Sequence, residues 1–380
     1  MFGRIGLVIG LTAMLSFGIF ASCRADTSIW VRFSNQDLAL VVYDVAVTDE
    51  GEDYMRVNRV YNSLSSFSNI FGFGWGSELD TNLVPRPDGE LWYTGFGNGL
   101  SREFSPVYHA ATDSKKMVST LEKGALEDAL IGSSDEQKAF ETLTDPWYIM
   151  QVYKDMRHAG YLPPNDATIG AMFSDSRHGP ARVVAVSDGY QIDMLEDSTQ
   201  PAFEALFDDS GKLIRGWVHG EPQKFVSYSW GTINNNSALG ERVITMADYR
   251  GNVFHFRYDG RGRVVGINAG RFGVITYGYD ADGDLVWERD ASSGSIRYVY
   301  DAYHDLTRIE YPHGQPTILG YEGASGRLIS LQCSDGTAYE FQVLSKEGDA
   351  ATSMRVVTQK GTSRTSETMN SSDMGVHAYC

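Results

Sequence analysis

Tyr277-Gly278-Tyr279-Asp280-Ala281-Asp282-Gly283-Asp284-Leu285 decides how this chain is read, because the same phrase returns on both sides of it. Tyr258-Asp259, Tyr279-Asp280, Tyr300-Asp301 and Tyr321-Glu322 follow one another at a constant interval of 21 residues. Two residues before each of these tyrosines stands another large side chain: Phe256, Tyr277, Tyr298 and Leu319. A turn residue and an aliphatic come shortly after each pair, as Gly262 and Val264, Gly283 and Leu285, His304 and Leu306, Gly326 and Leu328. A fixed period of this size means stacked supersecondary units.

Elementary chemistry says what one unit is. Residues two apart in a strand face the same way, so Phe254, Phe256 and Tyr258 share a face, as do Ile275, Tyr277 and Tyr279, and Ile296, Tyr298 and Tyr300. The opposite face carries His255, Arg257, Thr276, Gly278, Arg297 and Val299 and is expected to be wet. An Asp at the strand end can accept backbone N–H bonds in the turn, and a Gly shortly after it supplies positive φ. Each unit is therefore a hairpin that cannot bury its aromatic face alone. Stacking at constant register is expected to place ring beside ring, worth about 0.5–1.5 kcal/mol per pair beyond area burial.

The phrase Tyr-x-Tyr-Asp-x-x-Gly-x-Leu at 277–285 resembles the YD repeat of Rhs-type proteins. Upstream, Tyr61-Asn62-Ser63 and Phe71-Gly72-Phe73-Gly74-Trp75 resemble the segment that precedes the YD array in that family. The motif positions there are Tyr61, Asn62, Phe71, Gly72, Gly74 and Trp75. The resemblance covers roughly residues 55 to 105 and 180 to 343. It implies a long β-sheet that spirals into a hollow shell, often around a C-terminal toxin. With only four or five clear units, and with neither a recognisable core motif nor a toxin domain, this chain is expected to form a wall rather than a closed container. The fold class is thus mainly β, with stacked hairpins in a twisted or spiral sheet wall and a small α-helical insertion.

The rest of the chain divides around this array. Residues 1–25 read as an export signal, with Arg4 before an uncharged run from Ile5 to Cys23. That run ends in Phe20-Ala21-Ser22-Cys23, which resembles a bacterial lipobox and implies lipidation at Cys23. Ordinary cleavage near Ala25 and an uncleaved anchor are the alternatives. Residues 26–112 form an N-terminal β region, in which the glycines between Phe71, Phe73 and Trp75 let the backbone bend sharply between packed rings. Residues 113–165 change character: Met117, Leu121, Ala125, Leu126, Ala129 and Leu130 recur at helical spacing, and Asp145-Pro146 opens a second segment. Residues 166–245 return to strands and hold a degenerate copy of the repeat, Phe207 to Leu213. The array itself spans 246–344. The polar, Ser/Thr-rich stretch 345–380 is expected to be a disordered tail, apart from a strand near Met354 to Thr358.

Composition bounds the function. In 380 residues the net charge is −17, with 40 Gly, 21 Tyr and 18 Phe. Phosphate contacts need clustered Lys and Arg, so no nucleic-acid partner is expected. Three cysteines, Cys23, Cys333 and Cys380, are too few for a disulfide scaffold. The eight histidines are scattered singly, so no metal is expected. Asp280-Ala281-Asp282-Gly283-Asp284 does not fit a Ca²⁺ loop, because Gly stands fourth rather than sixth and Ala291 replaces the bidentate Glu. With no nucleophile elbow, P-loop or dinucleotide fingerprint, no enzyme and no cofactor are expected. The expectation is a non-enzymatic, exported, lipid-anchored YD-repeat β scaffold of the cell envelope that binds another envelope or secreted protein. Two alternatives stand beside it. One is a carbohydrate or cell-wall binding module using aromatics such as Trp92, Tyr93 and Trp217. The other is an N-terminal shell piece of a split or degenerate Rhs toxin-delivery system.

Overall fold

Every Tyr-Asp pair closes one strand and opens a turn of one chemistry. The backbone N–H of Asp259, Asp280 and Asp301 donates to the carbonyl four residues on, and the side-chain Oδ1 accepts two turn N–H groups. In the Asp280 turn these come from Gly283 and Asp284 at 2.8 and 2.9 Å. Gly262 and Gly283 take positive φ at the third position after the Asp. The outlying copy at Asp208 repeats this arrangement with Gly211, and a further copy does so at Asp248 with Gly251.

This architecture comes from a computed structural model that describes residues 27–32, 36–49, 52–65, 68–86, 90–95, 100–106, 172–174, 181–194, 203–218, 220–233, 239–290, 294–347, 350–370 and 375–378. The export signal with Cys23, the whole of the expected helical insertion at 113–165 and Cys380 lie outside the described residues. Twenty-one strands, from Asn82–Pro85 to Ser363–Asn370, pair antiparallel with their sequence neighbours into one ribbon. Among the described residues no ladder joins Ser363–Asn370 back to Asn82–Pro85, so the ribbon is open. The repeat strands Val253–Tyr258, Val274–Tyr279, Gly294–Tyr300 and Thr317–Tyr321 alternate with return strands Val264–Asn268, Leu285–Asp290, Leu306–Glu310 and Leu328–Gln332. Each repeat strand carries a β-bulge immediately before its closing tyrosine: at Arg257/Tyr258, Gly278/Tyr279, Val299/Tyr300 and Gly320/Tyr321. A bulge sharpens local twist, and one repeated at a fixed place coils the ribbon regularly.

The second sheet has five strands in the order Gly375–Ala378, Thr27–Arg32, Leu38–Asp49, Glu52–Asn62, Trp75–Ser77. One of its faces carries Ile29, Val31, Leu40, Val42, Met55, Val57 and Tyr61. These bury in a single core with Phe254, Ile275, Tyr277, Tyr298, Leu319 and Phe341 of the ribbon. The aromatic face of the array therefore closes on the chain's own N-terminal sheet. A hollow interior is not what this stretch of ribbon encloses. A smaller core, built on Leu83, Tyr93, Phe104, Val183, Tyr190 and Phe207, fills the first part of the ribbon where it curls on itself. The Asp208 turn props its leading strand, with Leu83 donating to the Gly211 carbonyl at 2.9 Å.

Two expectations need correcting. In the expected tail, the described residues 345–347, 350–370 and 375–378 form strands and the turn between two of them. They supply Ala350–Lys360 and Ser363–Asn370 to the ribbon and Gly375–Ala378 to the N-terminal sheet. Ala351, Met354 and Val356 are buried in the main core, while the polar residues between them face out. Alternation at one strand needs few apolar residues, which is why average composition misread it. The second correction concerns the tyrosines. Their hydroxyls, rather than ring-on-ring stacking between repeats, hold successive units in register. Tyr258 donates to Val243 O, Tyr279 to Val264 O, Tyr300 to Leu285 O and Tyr321 to Leu306 O, at 2.6, 2.6, 2.9 and 2.9 Å. Each bond reaches 15 residues back, and for Tyr279, Tyr300 and Tyr321 the acceptor is the aliphatic that opens the preceding return strand. A bond repeated at that offset fixes the period.

Candidate functional site

The seam between the N-terminal sheet and the array gathers most of the residues singled out from the sequence. At its centre is Arg59, whose side chain is 0% exposed. Strand alternation puts Arg59 on the apolar face of Glu52–Asn62, beside Met55, Val57 and Tyr61. Its Nε and Nη2 donate to the two oxygens of Asp44 at 2.7 Å each. Nη2 also pairs with Glu288 of the ribbon. Tyr277 donates to Asp44 at 2.6 Å and Tyr298 to Glu288 at 3.0 Å. The guanidinium lies over Trp75 at 4.9 Å and Tyr277 at 5.1 Å from the ring centroids. Burial alone would strip this charge, but Asp44 beside it, then Tyr298 and Tyr277, keep Arg59 protonated. Burial pushes the hydroxyl of Tyr277 far above its ordinary range, so it keeps the proton that it donates to Asp44. Nη1 of Arg59 is buried without an acceptor, and a buried ion group of this kind sets register between two surfaces more than it adds stability.

The N-terminal motif reads the repeat turns one by one. Tyr61 OH accepts from Leu306 N at 2.9 Å and donates to His304 O at 3.2 Å. Trp75 Nε1 donates to Tyr300 OH at 2.8 Å, and its ring meets Tyr298 edge-on at 5.3 Å. Phe71 meets Tyr277 edge-on at 5.2 Å. Asn62 accepts from Leu64 N through its side chain, and its own N–H donates to Gly74 O. Gly74, at φ +74°, lets the chain fold against the Tyr61 ring. Gly72, at φ +95°, has room for no Cβ, since one would stand 2.6 Å from Gly283 O. Backbone bonds complete the stitching: Val264 N donates to Ile70 O at 2.7 Å and Leu328 N to Gln36 O at 2.9 Å. In this way the return strands opened by Val264, Leu306 and Leu328 each find an acceptor in the N-terminal region.

The third turn departs from its neighbours. His304, at φ +68°, stands where the others have glycine. Its Nδ1 lies 2.9 Å from Asp284, and its ring stacks on Phe73 with 4.3 Å between centroids. Burial, and then the charge of Asp301, push the Asp305 carboxyl next to it up to about 7. Asp44, Arg59 and Glu288 are the seam residues that the sequence reading gave no role, and His304 was given only the role of a turn residue. Their signal was present: Arg59 and Glu288 are charges at positions where alternation calls for apolar side chains.

The repeat set Phe256, Tyr258, Asp259, Tyr277, Tyr279, Asp280, Tyr298, Tyr300, Asp301, Leu319, Tyr321 and Glu322 is thus accounted for by core, hydroxyl bond or turn. Glu322 opens a turn one residue longer, its N–H donating to Arg327 O. The aromatics considered for sugar stacking separate. Tyr93 is a core residue, 2% exposed, and cannot serve. Trp92 lies under Arg86, 4.1 Å from the ring centroid, and Trp217 is half-buried. Cys333 is buried and disulfide-bonded. Among the described residues no three or more metal-binding side chains gather, and no helix is long and apolar enough to cross a membrane.

No family model matches this chain, and no curated protein is similar to it. Among solved structures it is similar to a chain of the Photorhabdus luminescens Tc holotoxin pore, at 11% identity and TM-score 0.29, covering 86% of this chain and 16% of that one. A TcdB2-TccC3 crystal structure gives 10% identity and TM-score 0.28, covering 90% of this chain and 17% of that one. A porin-like protein from Bacteroides uniformis gives 8% identity and TM-score 0.25, covering 47% of this chain and 92% of that one. The chain spans 16% and 17% of the length of the two toxin chains. At these scores the similarities say nothing of activity or partners.

Proposed function

We propose that this chain is a non-enzymatic scaffold of the Rhs YD-repeat type, exported and lipid-anchored at Cys23, that binds another envelope or secreted protein through the open end of its ribbon. The observation that carries the reading is the strand Ser363–Asn370. Seven of its eight side chains are exposed, and among the described residues it pairs on one side only, with Ala350–Lys360. A strand edge presents unpaired N–H and C=O groups, and adding a partner strand there is a recurring mode of recognition. The array has its own aromatic face covered by the N-terminal sheet, so that face is taken.

A photo-crosslinking residue at Thr365 or Thr368 in the full chain, expressed in its own cell, should trap one discrete protein, and Ser366→Pro should abolish the product. Crosslinking no stronger than from a control position at the Asp282 turn would sink the reading. Mass spectrometry of the mature N-terminus checks the anchor separately: an acylated Cys23 is expected, and a free N-terminus at Asp26 refutes it. The same open edge favours a second reading, in which a neighbouring YD-repeat chain continues the ribbon as the rest of a split shell. The identity of the crosslinked protein distinguishes the two.

A further inference from the structure

A cavity of about 330 Å³ opens between the N-terminal motif and the first two repeat turns. That is within the size range of small-molecule sites. Its apolar wall is Ile70, Leu79 and the Trp230 ring, which is held in place by its Nε1 donating to Leu213 O at 2.8 Å. Its polar wall brings together Arg242, Arg261 and Arg263 with Asp80 and Asp282. Arg263 is immobilised: Nε and Nη2 donate to Asp259 at 2.8 and 2.7 Å, and the guanidinium lies 4.2 Å from the Tyr279 ring centroid. Its Nη1 is buried and finds no acceptor, and the same holds for Nε of Arg242. A buried N–H without an acceptor is costly, so two of them on residues that line one cavity call for an oxygen.

The charges say which kind of oxygen. The three guanidinium groups are balanced by Asp80 and Asp282 in the wall and by Asp259 behind it. A free anion would gain little from such a balanced set and would face two carboxylates. A ligand that both accepts from guanidinium N–H and donates to carboxylate oxygens satisfies the whole wall, and a vicinal diol does both. The Trp230 indole among the lining residues suits the C–H face of a pyranose. We infer that this cavity binds a neutral sugar ring, with Arg242, Arg263 and Asp282 holding its hydroxyls and Trp230 its apolar face. This site is distinct from the ribbon edge and does not depend on it.

The test is isothermal titration of the full-length protein, followed in parallel by tryptophan fluorescence. The probes are glucose, galactose, N-acetylglucosamine and maltose, with inorganic phosphate and glucuronate as anionic arms. At least one neutral sugar should saturate with a Kd on the order of 1 mM. Arg242→Gln and Asp282→Asn should each weaken it about tenfold or more, the equivalent of one lost charge-assisted hydrogen bond. Asp282 lies on an exposed turn, so its variant keeps the test valid if Arg242→Gln does not fold. Saturation by no neutral sugar, binding of phosphate or glucuronate alone, or an unchanged Kd in a folded Asp282→Asn variant would each overturn the inference.

Discussion

Removing one hydroxyl separates two accounts of the repeat. Tyr279→Phe keeps the ring in the core but deletes its bond to Val264 O, leaving that carbonyl without this donor. The expected cost is about 1 kcal/mol in urea denaturation. A Tyr279→Phe protein as stable as the parent would return the tyrosines to a role in packing alone. Arg59 makes a larger demand. Arg59→Met should destabilise by about 3–5 kcal/mol, because Asp44 and Glu288 would be left as buried charges without their shared cation. Adding Glu288→Gln to Arg59→Met should recover part of that loss. An additive double mutant would show that the two side chains do not interact.

At the scale of elements, local rules were readable and distant ones were not. The interval between Tyr258 and Tyr279 fixes a hairpin, and Asp280 with Gly283 fixes its turn, because both are written in neighbouring residues. Nothing local in Arg59 points to Glu288, which lies on the other sheet. The fate of the array's aromatic face was equally hidden, since alternation shows that a face is apolar but not what covers it. The tail failed for a different reason: a strand with one buried face needs only Ala351, Met354 and Val356 to be apolar. That corrected reading is open to measurement. Met354→Ala should cost about 2–5 kcal/mol, as for other fully buried side chains. A change below about 0.5 kcal/mol, of the size seen for solvated surface positions, would put the tail back in water.

At the scale of the whole molecule, one buried acid should shape the response to pH. Glu78 accepts from Asn58 N through both oxygens at 3.1 Å, and burial pushes its carboxyl from an ordinary 4.5 up to about 8. The folded state therefore holds this proton more tightly than the unfolded chain does. Its contribution to stability is full below about 4.5, falls as pH rises through the window from 4.5 to 8, and is constant above it. Melting temperature should accordingly decline between pH 6 and about pH 8.5, and Glu78→Gln should flatten the curve in that interval. An identical slope in the two proteins would mean that Glu78 titrates normally.

The pairing of Thr27–Arg32 with Gly375–Ala378 carries a consequence for the order of events in time. The first described strand takes as a neighbour the last one, so the inner sheet cannot be completed while the chain is still being synthesised. Contacts between such remote segments must wait for loop closure over nearly the whole chain, which makes their formation slow. The hairpins of the array need no such wait and can zip as they emerge. For as long as the far end is missing, one edge of Thr27–Arg32 stays unpaired, and that interval is when a chaperone has the most to protect.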